Sequence, residues 1–326
     1  MFGTQFIKSF GDECEVNGDR PDLGFQENGY LYLVDERNHD TLIENHERQK
    51  RLGADVVLLE PEQIAQRYPW IVTDTVTVGN LGQSGEGWFD NTGLMQGMRN
   101  KARSRGVDYI VDEVVAIGRS GQRITSATLA SGRTITCGTL VNAAGPWAND
   151  VCAMAGLSIP VEPRKRCIFV FSCRQEMPKG MPAVIAPNGV FCRPEGLQFL
   201  STLEPEVDVT AQRDDYSVSA DLFEEHIWPT LAELIPAFES IKVVRSWAGH
   251  YEFNTMDQNG IVGPHVEVPN FIMANGFSGH GLQHSPGIGR GLAEWITYGQ
   301  FRTLDLSPLS HTRIVENRPL LENLVI

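Results

Sequence analysis

A glycine-rich segment, residues 276–291, is the strongest chemical signal in the sequence. Six of its sixteen residues are glycine, and it joins an expected strand, Phe271–Asn275, to an expected helix over about 286–298. Glycines at such a junction let backbone N–H groups converge on a ligand at the positive end of a helix. A flavin suits that field, because the N1–C2=O edge of its ring gains negative charge on reduction. A lone glycine-rich segment is more often a simple packing turn, so further evidence is needed.

A second strand-to-helix junction, residues 140–147, also carries small residues. Ala143, Ala144 and Gly145 follow an expected strand, and Trp147 precedes an expected helix over 148–155. Small side chains let a cofactor approach the backbone closely, and Gly145 supplies a turn before the helix. Taken alone, this junction favours tight packing of a helix on a strand.

Together the two junctions resemble those of the amino-acid-oxidase-like FAD-dependent oxidoreductases, the family of sarcosine oxidase, glycine oxidase and dimethylglycine dehydrogenase. The resemblance implies FAD as the cofactor. It also implies cofactor contacts from the following residues: Ala143, Ala144, Gly145, Trp147, Gly276, Phe277, Ser278, Gly279, His280, Gly281, Leu282 and Gln283.

Other segments resemble a mitochondrial subgroup of this family that is associated with assembly of respiratory complex I. They include residues 87–90, 161–166, 247–265 and 305–308. The resemblance covers nearly the whole chain. It implies a mitochondrial location, in the matrix or at the inner membrane, and complex I subunits or assembly intermediates as partners.

Three residues are candidates for catalysis: His250, Tyr251 and Lys165. By the resemblance, His250 stands where sarcosine oxidases carry the cysteine that bonds to the flavin, which implies noncovalent FAD here; a packed core histidine is the alternative. Tyr251 stands where glycine oxidase has an arginine for the substrate carboxylate, and tyrosine cannot form that ion pair. Strand alternation places Lys165 on the face opposite its basic neighbours, where it could meet a substrate anion or the flavin, although most such basic runs are solvated.

Gln198 also departs from the family pattern. It stands where sarcosine oxidase has the lysine that activates oxygen, so a charge that would stabilise developing superoxide is missing. The departures at Tyr251 and Gln198 predict a dehydrogenase that takes a hydride from a small-molecule substrate and passes electrons to an acceptor other than oxygen.

The expected fold is a mixed α/β chain with two interleaved domains. Residues 86–157 and 259–300 form the FAD-binding domain; residues 24–83 and 158–257 form a substrate or cap domain with a mostly antiparallel sheet; residues 301–326 form a C-terminal tail. The sequence contains no G-x-G-x-x-G, so the family's first βαβ unit is expected to be missing. A chain without it is expected to bind FAD weakly and to self-associate.

Local patterns predict three further elements. A β-rich run favours a strand over 107–111, and capping signals favour a helix over 92–105. A further helix is expected over 222–234.

Composition narrows the remaining function classes. Lys and Arg number 27 against 41 Asp and Glu, a net charge of −14, which argues against nucleic acid or an anionic membrane as partner. No apolar run reaches the roughly 18 residues that span a bilayer, and the first 15 residues resemble neither a signal nor a transit peptide. The six cysteines lack zinc-ligand spacing, so buried reduced thiols and no metal site are expected.

Two other hypotheses stay open at this point. One is a non-enzymatic assembly factor in which FAD only stabilises a binding surface. The other is a shortened chain that binds no FAD.

Overall fold

The protein is described by a computed structural model covering residues 2–322. Its helices are α1 (Phe2–Lys8), α2 (Phe10–Glu13), α3 (His39–Arg51), α4 (Pro61–Arg67), α5 (Asn91–Ser104), α6 (Ala148–Met154), α7 (Trp228–Leu234), α8 (Gly281–Tyr298) and α9 (His311–Val315). Its strands are β1 (Tyr30–Val34), β2 (Val56–Leu59), β3 (Val78–Gly82), β4 (Val114–Ser120), β5 (Arg123–Leu129), β6 (Thr134–Thr136), β7 (Leu140–Asn142), β8 (Val161–Cys173), β9 (Ala183–Ile185), β10 (Phe191–Glu195), β11 (Gln198–Thr202), β12 (Ile241–Asn254), β13 (Ile261–Pro264) and β14 (Phe271–Asn275).

The largest layer is an eight-stranded sheet in the order β12-β8-β11-β10-β9-β1-β3-β2. All neighbours are antiparallel except β1 and β9. Its core gathers fully buried side chains such as Leu31, Phe171 and Phe238 with Ile64 of α4 and Leu231 of α7. Each such side chain contributes about 1.5–3 kcal/mol when it leaves water, so this core fixes the sheet that carries β12.

A three-stranded sheet, β13-β14-β7, positions both junctions singled out in the sequence. Residues alternate between faces of a strand. Phe271 and Met273 of β14 accordingly pack with Cys152 of α6, whereas Ile272 packs with Ile288 and other residues of α8. The ends of β7 and β14, which are parallel neighbours, therefore deliver the two junctions side by side. A separate antiparallel sheet, β4-β5-β6, completes the layers.

The mixed α/β class predicted from the sequence is confirmed, but two local predictions are wrong. Residues 107–111 form no strand; Val111 is 91% exposed, and Arg99 and Arg103 instead lie over the ring of Tyr109. The predicted helix over 222–234 is confirmed: it begins as a π-helical segment, Leu222–Ile227, and continues as α7.

The second difference concerns α8, which begins at Gly281 and not near Pro286. Proline lacks the N–H that would bond to the carbonyl four residues earlier, at Leu282. The hydroxyl of Ser285 donates to that carbonyl at 2.8 Å, which lets the helix run through Pro286. The first turn of α8 therefore lies inside the glycine-rich segment.

Within residues 2–322, no helix is long and apolar enough to cross a membrane. In the same residues no three His, Cys, Asp or Glu side chains lie together as a metal would require. All six cysteines are free, and burial raises the pKa of Cys152 to about 11.

Candidate functional site

The glycine turn, residues 276–280, is held in left-handed backbone conformations. Gly276, Ser278 and Gly279 have φ values of 77°, 48° and 91°; such values are uncommon for a residue with a side chain like Ser278. The buried Ser278 hydroxyl compensates by accepting the backbone N–H of Asn254 at 2.9 Å. The turn is therefore fastened to the end of β12.

Glu252 of β12 lies against this turn. Burial raises the pKa of its carboxyl, and the nearby backbone N–H groups of Gly276 and Phe277 partly oppose that rise. One of its oxygens, Oε2, is buried without a hydrogen-bond partner. The backbone N–H of Ser278 donates to the main-chain oxygen of Glu252 at 2.9 Å, so this strand residue is fastened to the turn.

Asn275, the last residue of β14, is the second unusual polar group. It is fully buried, and neither its Nδ2 nor its Oδ1 has a hydrogen-bond partner. Buried amides are nearly always paired with protein or ordered water. An unpaired amide directly before the glycine turn points to a polar ligand there.

The second junction is closed by Asn142 at the end of β7. Its Nδ2 donates to the carbonyl of Ala148 at 2.9 Å, and its Oδ1 accepts the N–H of Ala144 at 3.2 Å. Gly145 continues the turn with a φ of 58°. These bonds place Trp147 against His250 of β12, edge to face with ring centroids 5.6 Å apart. The two junctions therefore meet at one strand.

His250 and Lys165 share one face, since they are paired in the register of β12 and β8. The Nε2 of His250 is hydrogen-bonded to the main-chain oxygen of Asp215 at 2.8 Å, while its Nδ1 is buried and unpartnered. Tyr216 stacks on the same ring at 4.5 Å. Lys165 Nζ bonds to the Asp215 carboxylate at 2.6 Å, and this contact lowers the pKa of Asp215. The loop around Asp215 thus covers both side chains.

Tyr251 lies on the opposite face of β12, because adjacent strand residues alternate. The Arg166 guanidinium lies 4.4 Å from its ring centroid, and burial raises the pKa of Tyr251 to about 12. Arg166 is itself paired with Asp208 and Glu204. The structure brings His250 and Lys165 together but not Tyr251; catalytic roles for the three stay predictions.

A cavity of about 1100 Å³ opens beside the first turn of α8. Leu282 and Gln283 line it from the helix, and its other walls include Tyr30, Tyr32, Glu86, Trp88, Arg193 and Trp247. We call it the α8 cavity. Gln198 is not among the residues that line it.

Sequence reasoning missed Glu252, Asn275 and Glu86 as site residues. Alternation along β12 could have found Glu252, because it shares the face of His250. Nothing local marks Asn275 or Glu86, whose surroundings come from distant strands.

These groups fit a flavin nucleotide. A ligand rich in hydrogen-bonding atoms would meet the unpartnered atoms of Asn275, Glu252 and His250. It would also meet the N-terminus of α8, where helix N–H groups lack intrahelical partners. The residues that would hold it are those of the glycine turn, with Trp147 and His250.

Comparison with known proteins points to the same cofactor. The family model described as DAO: FAD dependent oxidoreductase matches residues 14–295. FAD-dependent oxidoreductase domain-containing protein 1 of Xenopus laevis is 36% identical over 358 residues, covering 100% of this chain and 72% of that protein. Mitochondrial dimethylglycine dehydrogenase of Rattus norvegicus is 27% identical, over 77% of this chain and 31% of its own length.

Among solved structures, L-proline dehydrogenase from P. horikoshii superposes with a TM-score of 0.84 at 25% identity, covering 96% of this chain and 82% of its own. The resemblance stated from the two junctions is therefore confirmed, and so is FAD as the cofactor of the family.

Proposed function

The chain belongs to the family of FAD-dependent oxidoreductases, and on that premise we propose that it is a dehydrogenase acting on a small molecule. The observation that carries the proposal is that both junctions contact β12. The ring of Trp147 packs against His250, and the glycine turn is hydrogen-bonded to Asn254. When bound, FAD supplies a two-electron acceptor for the substrate.

The chain's own residues supply positioning and electrostatics. The N-terminus of α8 carries partial positive charge, which stabilises an anionic group placed before it. Leu282 and Gln283 belong both to that first turn and to the α8 cavity, so the cavity adjoins the helix end at which the flavin would be held. Trp88 and Trp247 contribute apolar surface to the wall of the cavity.

An absorbance spectrum of the purified chain tests the proposal. Flavin bands that are bleached anaerobically by a substrate would support it, whereas a chain that binds FAD tightly but is never reduced by amine or amino-acid substrates would contradict it. A colourless chain that binds no FAD in equilibrium dialysis would favour the hypothesis of a chain without cofactor.

The choice of electron acceptor is tested at Gln198. We expect slow reoxidation of the reduced flavin in air and faster reoxidation in Gln198→Lys, because a cation stabilises developing superoxide. Gln198→Glu, which adds the opposite charge, is the matched control. Fast reoxidation of the unmodified protein would contradict the dehydrogenase assignment.

We also propose a mitochondrial location, with complex I subunits or assembly intermediates as partners. The support is the resemblance of residues 247–265 to the complex I-associated subgroup and the mitochondrial name of the related dimethylglycine dehydrogenase. Cell fractionation and native gels of complex I from cells lacking the protein test both parts. Normal complex I in those cells would contradict the partner assignment.

One observation favours a non-enzymatic assembly role. His250 and Lys165, the candidate groups on the site face, are already bonded to Asp215. A variant that binds FAD but cannot reduce it separates the hypotheses: rescue of complex I assembly by that variant would support a structural role for FAD, and failure would support the dehydrogenase.

A further inference from the structure

We infer that the α8 cavity binds the cationic group of an alkylammonium ligand at Glu86 and disfavours ligands that carry a carboxylate. This inference rests on the proposed function, since the α8 cavity is where that function places the substrate.

Glu86 is a carboxylate held without a cation. Its side chain occupies the space that a side chain at Gly82 would fill; burial raises the pKa of its carboxyl, and the nearby backbone N–H of Tyr30 only partly opposes that rise. Among the described residues no Lys, Arg or His forms an ion pair with Glu86. Burial of an uncompensated carboxylate is unfavourable. A cation that enters the cavity would therefore be attracted to Glu86 without competition from a cationic side chain of the protein.

Aromatic rings surround the same space. Tyr30 and Tyr32 stack with ring centroids 6.5 Å apart, and Trp88 and Trp247 form other parts of the wall. The faces of such rings attract ammonium groups, most strongly where water is excluded. A carboxylate among aromatic rings is the arrangement that recognises alkylated ammonium ions.

Arg193, the one Lys or Arg side chain that lines the cavity in the described structure, is already neutralised. Its Nη1 bonds to the Glu195 carboxylate at 2.5 Å and to the carbonyl of Pro194 at 2.9 Å. Its guanidinium also lies 5.6 Å from the ring centroid of Trp88. A ligand carboxylate would have to displace Glu195, so the cavity selects against it.

Calorimetric titration of the purified chain with tetramethylammonium, acetate and the neutral analogue tert-butanol tests the inference. We expect binding of tetramethylammonium at least tenfold tighter than that of either other probe. Equal binding of tert-butanol, or tighter binding of acetate, would overturn the inference without any variant.

Substitutions then assign the site. Glu86→Gln should weaken tetramethylammonium binding at least tenfold, and Glu86→Asp, which keeps the charge, should retain part of it. Glu195→Gln, the matched control, should keep tetramethylammonium binding and gain acetate binding, because Arg193 is released. Unchanged tetramethylammonium binding in a folded Glu86→Gln protein would contradict the assignment.

The two proposals fail separately. The titration needs no flavin reduction, so a chain that binds tetramethylammonium but is never reduced would contradict only the dehydrogenase. A chain whose flavin is reduced by a substrate while tetramethylammonium does not bind would contradict only this inference.

Discussion

Trp147 and His250 meet edge to face, with ring centroids 5.6 Å apart and ring planes at 89°. Trp147 follows the turn after β7, whereas His250 lies in the long strand β12 of a different sheet. This contact joins the two sheets on the same strand to which the glycine turn is bonded, through Asn254. The proposed cofactor site is therefore a junction between layers.

The Trp147 contact is expected to contribute to flavin binding. Trp147→Ala removes an aromatic pair worth about 0.5–1.5 kcal/mol, so the dissociation constant for FAD should rise about three- to tenfold, measured by flavin fluorescence quenching. Trp228→Ala is the control, because Trp228 lies on α7 and bonds to the carbonyl of Phe238. An equal loss in both variants would show that the effect is general.

The glycine turn should not tolerate a side chain at Gly276. Its φ is 77°, and an added Cβ would lie 3.0 Å from Val161 Cγ2 and 3.2 Å from Asn254 Cβ. Gly276→Ala should destabilise the fold by about 1–3 kcal/mol and weaken FAD binding, as measured by urea unfolding and equilibrium dialysis.

Gly289→Ala provides the matched control. Gly289 lies inside α8 with nothing within 4 Å of an added Cβ, so alanine should raise the free energy of unfolding by about 0.5–1 kcal/mol. A Gly276→Ala protein as stable and as yellow as Gly289→Ala would contradict the assigned role of the turn.

Acid should destabilise the fold through His265 and His311, whose rings lie 4.2 Å apart. The Nδ1 of His265 accepts the backbone N–H of Glu267, and the Nδ1 of His311 accepts that of Val266. Each bond requires the accepting nitrogen to be unprotonated. Burial lowers the pKa of His265, and burial with the neighbouring His265 and Arg313 lowers that of His311 to about 4.

The direction of this pH dependence follows from the pH at which each state binds its proton. An unfolded histidine takes up its proton near pH 6.5, whereas His311 in the fold does so only near pH 4. Stability is therefore present above pH 6.5 and falls as the pH decreases, by about 2 kcal/mol for His311 between pH 7 and pH 5. Urea unfolding at both pH values measures this loss. The loss of stability between pH 7 and pH 5 should be smaller in His311→Gln and unchanged in the control His39→Gln.

The buried ion pair between Asp257 and Arg313 should hold α9 and the glycine turn in place. Arg313 Nε and Nη2 each lie 3.0 Å from the Asp257 carboxylate, which also accepts the Asn254 side-chain N–H at 2.9 Å. Asp257→Ala leaves a buried cation unpaired and should cost about 3–5 kcal/mol, with weaker FAD binding through Asn254. Arg318→Ala, which breaks an exposed pair with Glu316, should cost at most about 1 kcal/mol. Equal costs in urea unfolding would contradict this role.

The backbone turns of the candidate site could be located from the sequence where the signal was local. The glycine turn and the turn at Gly145 could be located in the sequence, because left-handed backbone conformations require glycine or a small set of other residues. The run over 107–111 misled, since β-propensity says nothing about whether a neighbouring strand is available to pair with it.

The sequence by itself determined the family, the FAD cofactor and the positions of the two junctions. Only the tertiary structure decided that Glu252 lies against the glycine turn, that Tyr251 faces away from His250, and that Glu86 meets the α8 cavity. The physical reason is that backbone conformation depends on neighbouring residues, whereas charge compensation and burial depend on strands that are distant in the chain and adjacent only after folding.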